Sequence, residues 1–270
     1  MKRSRLLIFA GIIGLFCVVP CFAEKVVLAG STTVLPIAQK TAEVFMDNNS
    51  DADISVRGGG SSVGIAALID GTCDIADASR AIKDTEIQNA ARNGRDPVVH
   101  IVAMDGIAVV VNQSNPVSKL STKQVRDIFT GKITDWSQLG GNSGKIVVVS
   151  RDTSSGTFEA FGELVMNKEK VRPDALMQAS NQAVSQAIAQ TPQAVGYVGL
   201  GFMQGDIKPV EIEGVMPSKE TVLSGEYPVT RPLYMYSNGK PKGMIKEYLD
   251  FVKSKEGQEL VEAQGYVGLK

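Results

Sequence analysis

Histidine and cysteine are almost missing from this chain of 270 residues, which holds one of the first and three of the second. That scarcity removes whole classes of chemistry. Cys17 and Cys21 fall in an apolar N-terminal stretch, so only Cys73 stands in the body of the chain. A lone cysteine forms no intramolecular disulfide and no thiolate metal site. Within Gly71-Thr-Cys-Asp-Ile-Ala76 it reads as a small apolar filler at the start of a buried strand. His100, inside Val98-Val-His-Ile-Val102, reads as a structural strand residue, and without a cysteine beside it makes no zinc site. Carboxylates are scattered rather than clustered, which disfavours a divalent cation. Neither the Gly-x-x-x-x-Gly-Lys-Ser/Thr loop nor Gly-x-Gly-x-x-Gly occurs, so both nucleotide fingerprints are missing. No metal and no cofactor are expected. Aromatics make up 6% of the residues. The single tryptophan, Trp136, sits near a turn and reads as the anchor of a surface loop. No lysine- or arginine-rich run with interleaved aromatics appears, which argues against nucleic acid as a partner.

The N-terminus has a different character. Lys2, Arg3 and Arg5 precede an apolar run from Leu6 to Val19, and Pro20-Cys-Phe-Ala23 offers a cleavage site. That is the pattern of a secretory signal peptide over residues 1–23, with a mature chain starting at Glu24. The run is short for a membrane span. Phe16 and Pro20 occupy the places before Cys17 and Cys21 where lipid attachment wants small residues, so a lipid anchor ranks second. Cleavage would remove three basic residues and no acidic one, taking the formal net charge from −1 to −4. An exported, mildly acidic protein of the periplasm is expected. Any anion site in it works by local donors rather than by net charge.

Short β-branched runs alternate with amphipathic helical patterns, which indicates an α/β fold with mainly parallel pairing. The mature length fits one large domain or two lobes. Ile101 to Val111 is long for one strand, and the Asp105-Gly106 step suggests a break where the chain leaves one lobe for another. From Pro228 onward the chain would return to the first lobe.

The strongest motif is Arg151-Asp-Thr-Ser-Ser-Gly-Thr157, between a β-branched run, Lys145 to Ser150, and a helical pattern on Phe158, Phe161, Leu164 and Val165. A helix start leaves backbone N–H groups without partners and carries partial positive charge, so it accepts an anion readily. Gly156 permits close backbone approach, Ser155 and Thr157 add hydroxyls, and Arg151 adds a planar charged fork. An ordinary hydroxyl cap beside a surface arginine would look the same. The pattern recurs, however, at Gly30-Ser-Thr-Thr33 and Gly58-Gly-Gly-Ser-Ser62, each between a strand and a helix. Several such turns suggest helix starts aimed at one small anion.

An enzyme is the competing reading. Gly60-Ser-Ser-Val-Gly64 fits the Gly-x-Ser-x-Gly nucleophile elbow and would make Ser62 a nucleophile. Its base would have to be His100, which lies in an apolar strand, and no His-Gly-Gly-Gly oxyanion segment exists. An anion cradle without base, nucleophile or metal fits a binder better than a catalyst.

Several segments, in this order, resemble the phosphate-binding proteins of bacterial ABC phosphate importers, within the type II periplasmic-binding-protein superfamily. They are Ala29-Gly-Ser-Thr-Thr-Val-Leu-Pro36, Gly58 to Gly64, Asp74-Ile-Ala-Asp-Ala-Ser-Arg80, Asp105 to Asn112, Ile128 to Trp136, Ser150 to Thr157 and Val195-Gly-Tyr-Val-Gly199. The resemblance covers nearly the whole mature chain. It implies two α/β lobes, 24–104 with 228–270 and 105–227, joined by a two-stranded hinge with inorganic phosphate held between them. It also implies a membrane permease as partner and a receptor acting as a monomer. Carried over position by position, it places Thr32 and Thr33, Ser61, and Arg151, Ser155, Gly156 and Thr157 on the anion. The best-known members have an aspartate that accepts the phosphate proton; here that position is Ser79, followed by Arg80. Arg80 is then a further donor or a partner for a surface acid, and Asp105 is the candidate for the missing acceptor. Sulfate or another tetrahedral oxyanion stays open as an alternative ligand.

Overall fold

A computed structural model describes residues 24–269. The signal-peptide segment lies outside the described residues. Strand β1 (Glu24–Gly30) leads through a Ser-Thr-Thr turn into α1 (Leu35–Asn48). The same move recurs from β2 (Ala52–Arg57) through a triple glycine into α2 (Ser61–Asp70). Then follow β3 (Ile75–Ala78), α3 (Asp84–Arg92) and the long β4 (Pro97–Asn112). A second set of elements comprises β5 (Lys119–Leu120), α4 (Thr122–Thr130), β6 (Val147–Arg151), α5 (Gly156–Leu164) and β7 (Leu176–Gln178). It continues with α6 (Asn181–Gln190), β8 (Ala194–Gly199), β9 (Ile207–Pro209), β10 (Glu211–Ile212) and α7 (Lys219–Ser224). The chain closes with β11 (Thr230–Asn238), α8 (Gly243–Lys253) and α9 (Lys255–Ala263).

The main sheet runs β2-β1-β3-β11-β4-β8-β6-β7, with β9 on the end of β4. Its outer pairs, β1 with β2 and β3 and β6 with β7 and β8, are parallel, as crossover helices require. The central pairs are antiparallel, because β4 and β11 run against each other and against their flanking strands. The sheet is therefore mixed rather than mainly parallel.

β4 carries the chain across the molecule. Residues 97–106 pair with β11, and residues 107–112 pair with β8 and β9. The Asp105-Gly106 step is no break. Asp105 is fully buried with a cationic partner on β11, so the strand continues straight through it. Gly106 is small because a Cβ there would meet Val222 at 2.8 Å.

Apolar side chains collect on both faces of each half of the sheet, as layered α/β packing demands. Around β1, β3 and β11, one cluster joins Ile37, Phe45, Tyr248 and Val261, and another joins Ile65, Leu68 and Ala90. Around β6 and β8, one joins Phe129, Phe161, Trp136 and Tyr197, and another joins Val184 and Ile188. Trp136 is a core residue rather than a surface anchor, although its Nε1 also donates to the carbonyl of Gln193 at 3.0 Å. Cys73 is buried just ahead of β3, and burial pushes its thiol up to about 12, which keeps it unreactive. No described helix is long and apolar enough to cross a membrane.

Candidate oxyanion site

The starts of α1, α2 and α5 meet where the two halves of the sheet face each other. In α1, Ser31 Oγ accepts from the N–H of Thr33 at 3.1 Å, which shapes the turn and turns Thr32 and Thr33 inward. In α5, Ser155 Oγ caps the N–H of Phe158 at 3.2 Å. The N–H groups of Gly156 and Thr157 then have no acceptor among the described residues. Gly156 lies so close to α2 that a Cβ there would stand 2.3 Å from Ser61 Oγ and 2.8 Å from Ser79 Oγ. At the start of α2, Gly60 has φ 100° and faces Ser154, leaving no room for a side chain. Ser61 Oγ accepts from the N–H of Ser79 at 3.0 Å.

Hydroxyls from distant segments close the arrangement. Thr33 Oγ1 and Thr157 Oγ1 are 2.9 Å apart. Arg151 is 1% exposed; its Nη2 donates to Thr32 Oγ1 at 3.2 Å and to the carbonyl of Ala179, and its Nε to the carbonyl of Gln178. Arg151 Nη1 is buried and has no partner among the described residues. Burial lowers the Arg151 pKa to about 10, opposed by Tyr197 and Asp152, so the group stays charged at neutral pH. A desolvated guanidinium with an unmet donor beside several helix starts is an electrostatic demand for an anion.

Two expected site residues are placed differently. Arg80 is enclosed by acids: Nη1 and Nη2 donate to the carboxylate of Glu86 at 2.8 and 2.7 Å. Its Nε lies 3.1 Å from Glu159 Oε1, and Nη2 also donates to Ser62 Oγ. Burial would lower the Arg80 pKa, but Glu86 and Glu159 raise it overall. The guanidinium belongs to this ion-pair group because two carboxylates compensate its charge more fully than the cleft does. Asp105 is equally committed. Arg231 donates to its Oδ2 from Nη2 at 2.9 Å and from Nε at 3.1 Å, and the N–H of Leu200 donates to Oδ1 at 3.0 Å. Burial pushes the Asp105 carboxyl up, and Arg231 partly offsets this. It holds an arginine rather than standing free as an acceptor.

The nucleophile-elbow reading fails on geometry. Ser62 Oγ accepts from Arg80 and donates to Glu159 at 3.3 Å. His100 lies on the opposite stretch of β4 from the site, with Nε2 on Ser237 Oγ at 2.9 Å, and it has no bond to Ser62. It is the structural residue that its apolar context indicates.

Known proteins resemble this chain over most of its length. Residues 21–256 match the PBP superfamily domain. The phosphate-binding protein PstS of Bacillus subtilis is 34% identical, over 89% of this chain and 79% of its own length. That of Borreliella burgdorferi is 30% identical, over 92% and 91%. The chain belongs to the phosphate-binding protein family of the PBP superfamily. Among solved structures, a chain assigned as a phosphate ABC transporter substrate-binding protein of Clostridium perfringens, with bound phosphate, superimposes with TM-score 0.86 at 33% identity, covering 92% of this chain and all of that one. An ABC-type phosphate transport receptor of Vibrio cholerae gives TM-score 0.75 at 33% identity, covering 90% of this chain. The α/β fold is thus that of the type II binding proteins.

Two residues at the site escaped the sequence reading. Asn181, the first residue of α6, donates from Nδ2 to Thr33 Oγ1 at 3.0 Å and to Thr32 Oγ1 at 3.4 Å. Arg231 donates from Nη2 to Thr157 Oγ1 at 3.0 Å and from Nη1 to the carbonyl of Ser79 at 2.9 Å. Arg231 left one usable signal, a charge at the start of the Leu233-Tyr-Met-Tyr236 strand pattern where the chain recrosses. Asn181 left only a Ser-Asn helix start, which is too common to single out.

Proposed function

We propose that this chain is the extracytoplasmic phosphate receptor of an ABC importer. It would bind inorganic phosphate and present it to a membrane permease without turning it over. The observation that carries this reading is the buried Arg151, with Nη1 unpartnered beside the free N–H groups of Gly156 and Thr157. The names of the relatives supply the choice of phosphate among tetrahedral anions. Thr32, Thr33, Ser61, Ser79, Arg151, Ser155, Gly156 and Thr157 form the proposed ligand set; Arg80 and Asp105 support it from behind. Residues 24–104 with 228–270 act as one lobe and 105–227 as the other, and β4 with β11 serves as the hinge between them. The protein works as a monomer, exported by a cleaved signal peptide into the periplasm.

A dissociation constant near micromolar corresponds to about 8 kcal/mol, which several charge-assisted bonds in a dry cleft supply. Calorimetry on protein stripped of ligand by partial unfolding and refolding tests this. One phosphate per chain is expected, with no hydrolysis of phosphate or carboxyl esters. No heat with phosphate alongside clear binding of sulfate would replace phosphate with another oxyanion. Silence with both would overturn the receptor reading.

A further inference from the structure

The ligand-facing hydroxyls are not free to turn as they please. Each oxygen can accept and can donate its one hydrogen, and neighbouring N–H groups decide which. Thr32 Oγ1 receives Arg151 and Asn181, Thr33 Oγ1 receives Asn181 and, at a long 3.5 Å, Arg231, and Thr157 Oγ1 receives Arg231. Neither Asn181 Nδ2 nor Arg231 Nη2 can accept anything in return. Lone pairs already filled by N–H donors turn the hydroxyl hydrogens away from those nitrogens. Thr33 and Thr157 share one hydrogen between their oxygens at 2.9 Å, and the other hydrogen is left to point outward.

Both positioning groups are themselves fixed. Asn181 Oδ1 accepts from the N–H of Gly199 at 3.2 Å, which rules out a flipped amide. Arg231 is held by Asp105 and by the carbonyl of Ser79, its charge balanced by the carboxylate. Each also reaches between elements: Asn181 from α6 to the turn before α1, Arg231 from β11 to the first turn of α5.

We infer that Arg231 and Asn181 are positioning residues of the anion site. They act through their nearer partners, Arg231 through Thr157 at 3.0 Å and Asn181 through Thr33 at 3.0 Å, orienting these hydroxyls as donors toward the ligand, and touch no ligand atom themselves. This rests on the reading that the site binds phosphate. Asp105 completes the device by neutralising Arg231, so that its long reach adds geometry and no net charge. Within the set, Arg151 is the cation that faces the anion, and Arg231 is the cation that aligns the hydroxyls.

The test is a pair of double-mutant cycles read by phosphate calorimetry on the whole protein. In the first, the neutral pair Arg231→Gln with Asp105→Asn is crossed with Thr157→Val. In the second, Asn181→Ala is crossed with Thr33→Val. Each positioning change is expected to weaken phosphate binding about tenfold in the native background and less than twofold once its threonine is valine, because an absent hydroxyl cannot be oriented. The same tenfold loss in both backgrounds would overturn the inference, since a direct contact or a general loosening of the fold gives additive effects. Thermal unfolding reports whether each variant is folded; if the Arg231 swap is not, the Asn181 cycle decides alone. Wild-type protein that binds no phosphate defeats the receptor reading itself, an outcome separate from additive cycles.

Discussion

Thr33 and Thr157 lie 124 residues apart in sequence, and their hydroxyl oxygens lie 2.9 Å apart in space. One precedes α1 and the other lies in the first turn of α5, so their contact is one of those that join the two sides of the site. A ligand that bonds to both bridges them, and the residues around this contact give a set of measurable consequences.

Arg151 is a buried cation with an unmet donor beside the helix starts, so it is expected to carry the largest share of anion affinity. Arg151→Ala is expected to weaken phosphate binding by about 2–5 kcal/mol, the usual loss when one partner of a buried charged contact is truncated. Arg151→Lys keeps the charge and loses the fork, and falls between. Calorimetric titration measures both; unchanged affinity in the alanine variant would remove Arg151 from the site.

Asp105 is expected to act on stability rather than on the choice of anion. Removing one member of a buried ion pair strands the other, at a cost of about 3–5 kcal/mol. Urea unfolding of Asp105→Ala should show a loss on that scale, while the ratio of phosphate to sulfate affinity stays put. A ratio that moves while stability holds would return Asp105 to the role of ligand acceptor.

Ser79 is the natural place to look for selectivity. Among the described residues its hydroxyl has one hydrogen-bonding neighbour, Ser61 Oγ at a long 3.4 Å, so it keeps lone pairs open to a protonated oxyanion. Ser79→Asp puts a fixed acceptor there. Sulfate, which has no proton to share at neutral pH, is expected to lose at least tenfold more affinity than phosphate. Competition titrations with both anions read this directly, and equal losses would place Ser79 outside the ligand shell.

Asp77 supplies a pH dependence with a definite sign. Its carboxyl is fully buried with neither oxygen partnered among the described residues, and burial pushes its pKa well above the ordinary carboxylate range. The folded protein therefore keeps a proton that the unfolded chain releases from about pH 4 upward. Its contribution to stability is complete below that pH and is lost as pH rises toward the folded pKa. Asp77→Asn removes the titration and leaves the shape. Denaturant unfolding between pH 4 and 7 should show the variant gaining on wild type as pH rises; parallel curves would mean that Asp77 is ionised in the fold.

Glu159 ties α5 to the opposite side of the cleft through Arg80 at 3.1 Å and Lys83 at 2.5 Å. The Lys83 pair is half exposed, and pairs of that kind contribute about 0.2–1 kcal/mol. Glu159→Gln should therefore release phosphate about two- to fivefold faster, with little change in the association rate. Stopped-flow displacement separates the two rates, and an unaltered release rate would show that these pairs do not hold the closed form.

Much of this was legible in the chain. Gly30-Ser-Thr-Thr, the triple glycine and Arg151 to Thr157 each mark a strand, a turn and a helix start, because that chemistry is local. The behaviour of Asp105 and Arg80 was not. An aspartate next to a glycine reads as a turn, and nothing nearby in sequence announces that Arg231 will sit opposite it, 126 residues on. Arg80 likewise meets Glu159 only after α5 folds against α2. Partners of buried charges are chosen by tertiary packing, and a single sequence carries no trace of that choice. Asn181 was missed for the same reason.

The late position of β11 in the chain leaves one half of the sheet incomplete until the end. The half of the sheet built from β1, β2 and β3 is made first on the ribosome, yet β11, which joins β3 to β4, comes from residues 230–238. The other half, around β6 and β8, has its strands and helices encoded between residues 107 and 229. The later-encoded half can thus complete most of its packing while the earlier one still waits for its central strand. A nascent or truncated chain ending before residue 230 keeps an open strand edge on β3, a surface primed for premature pairing.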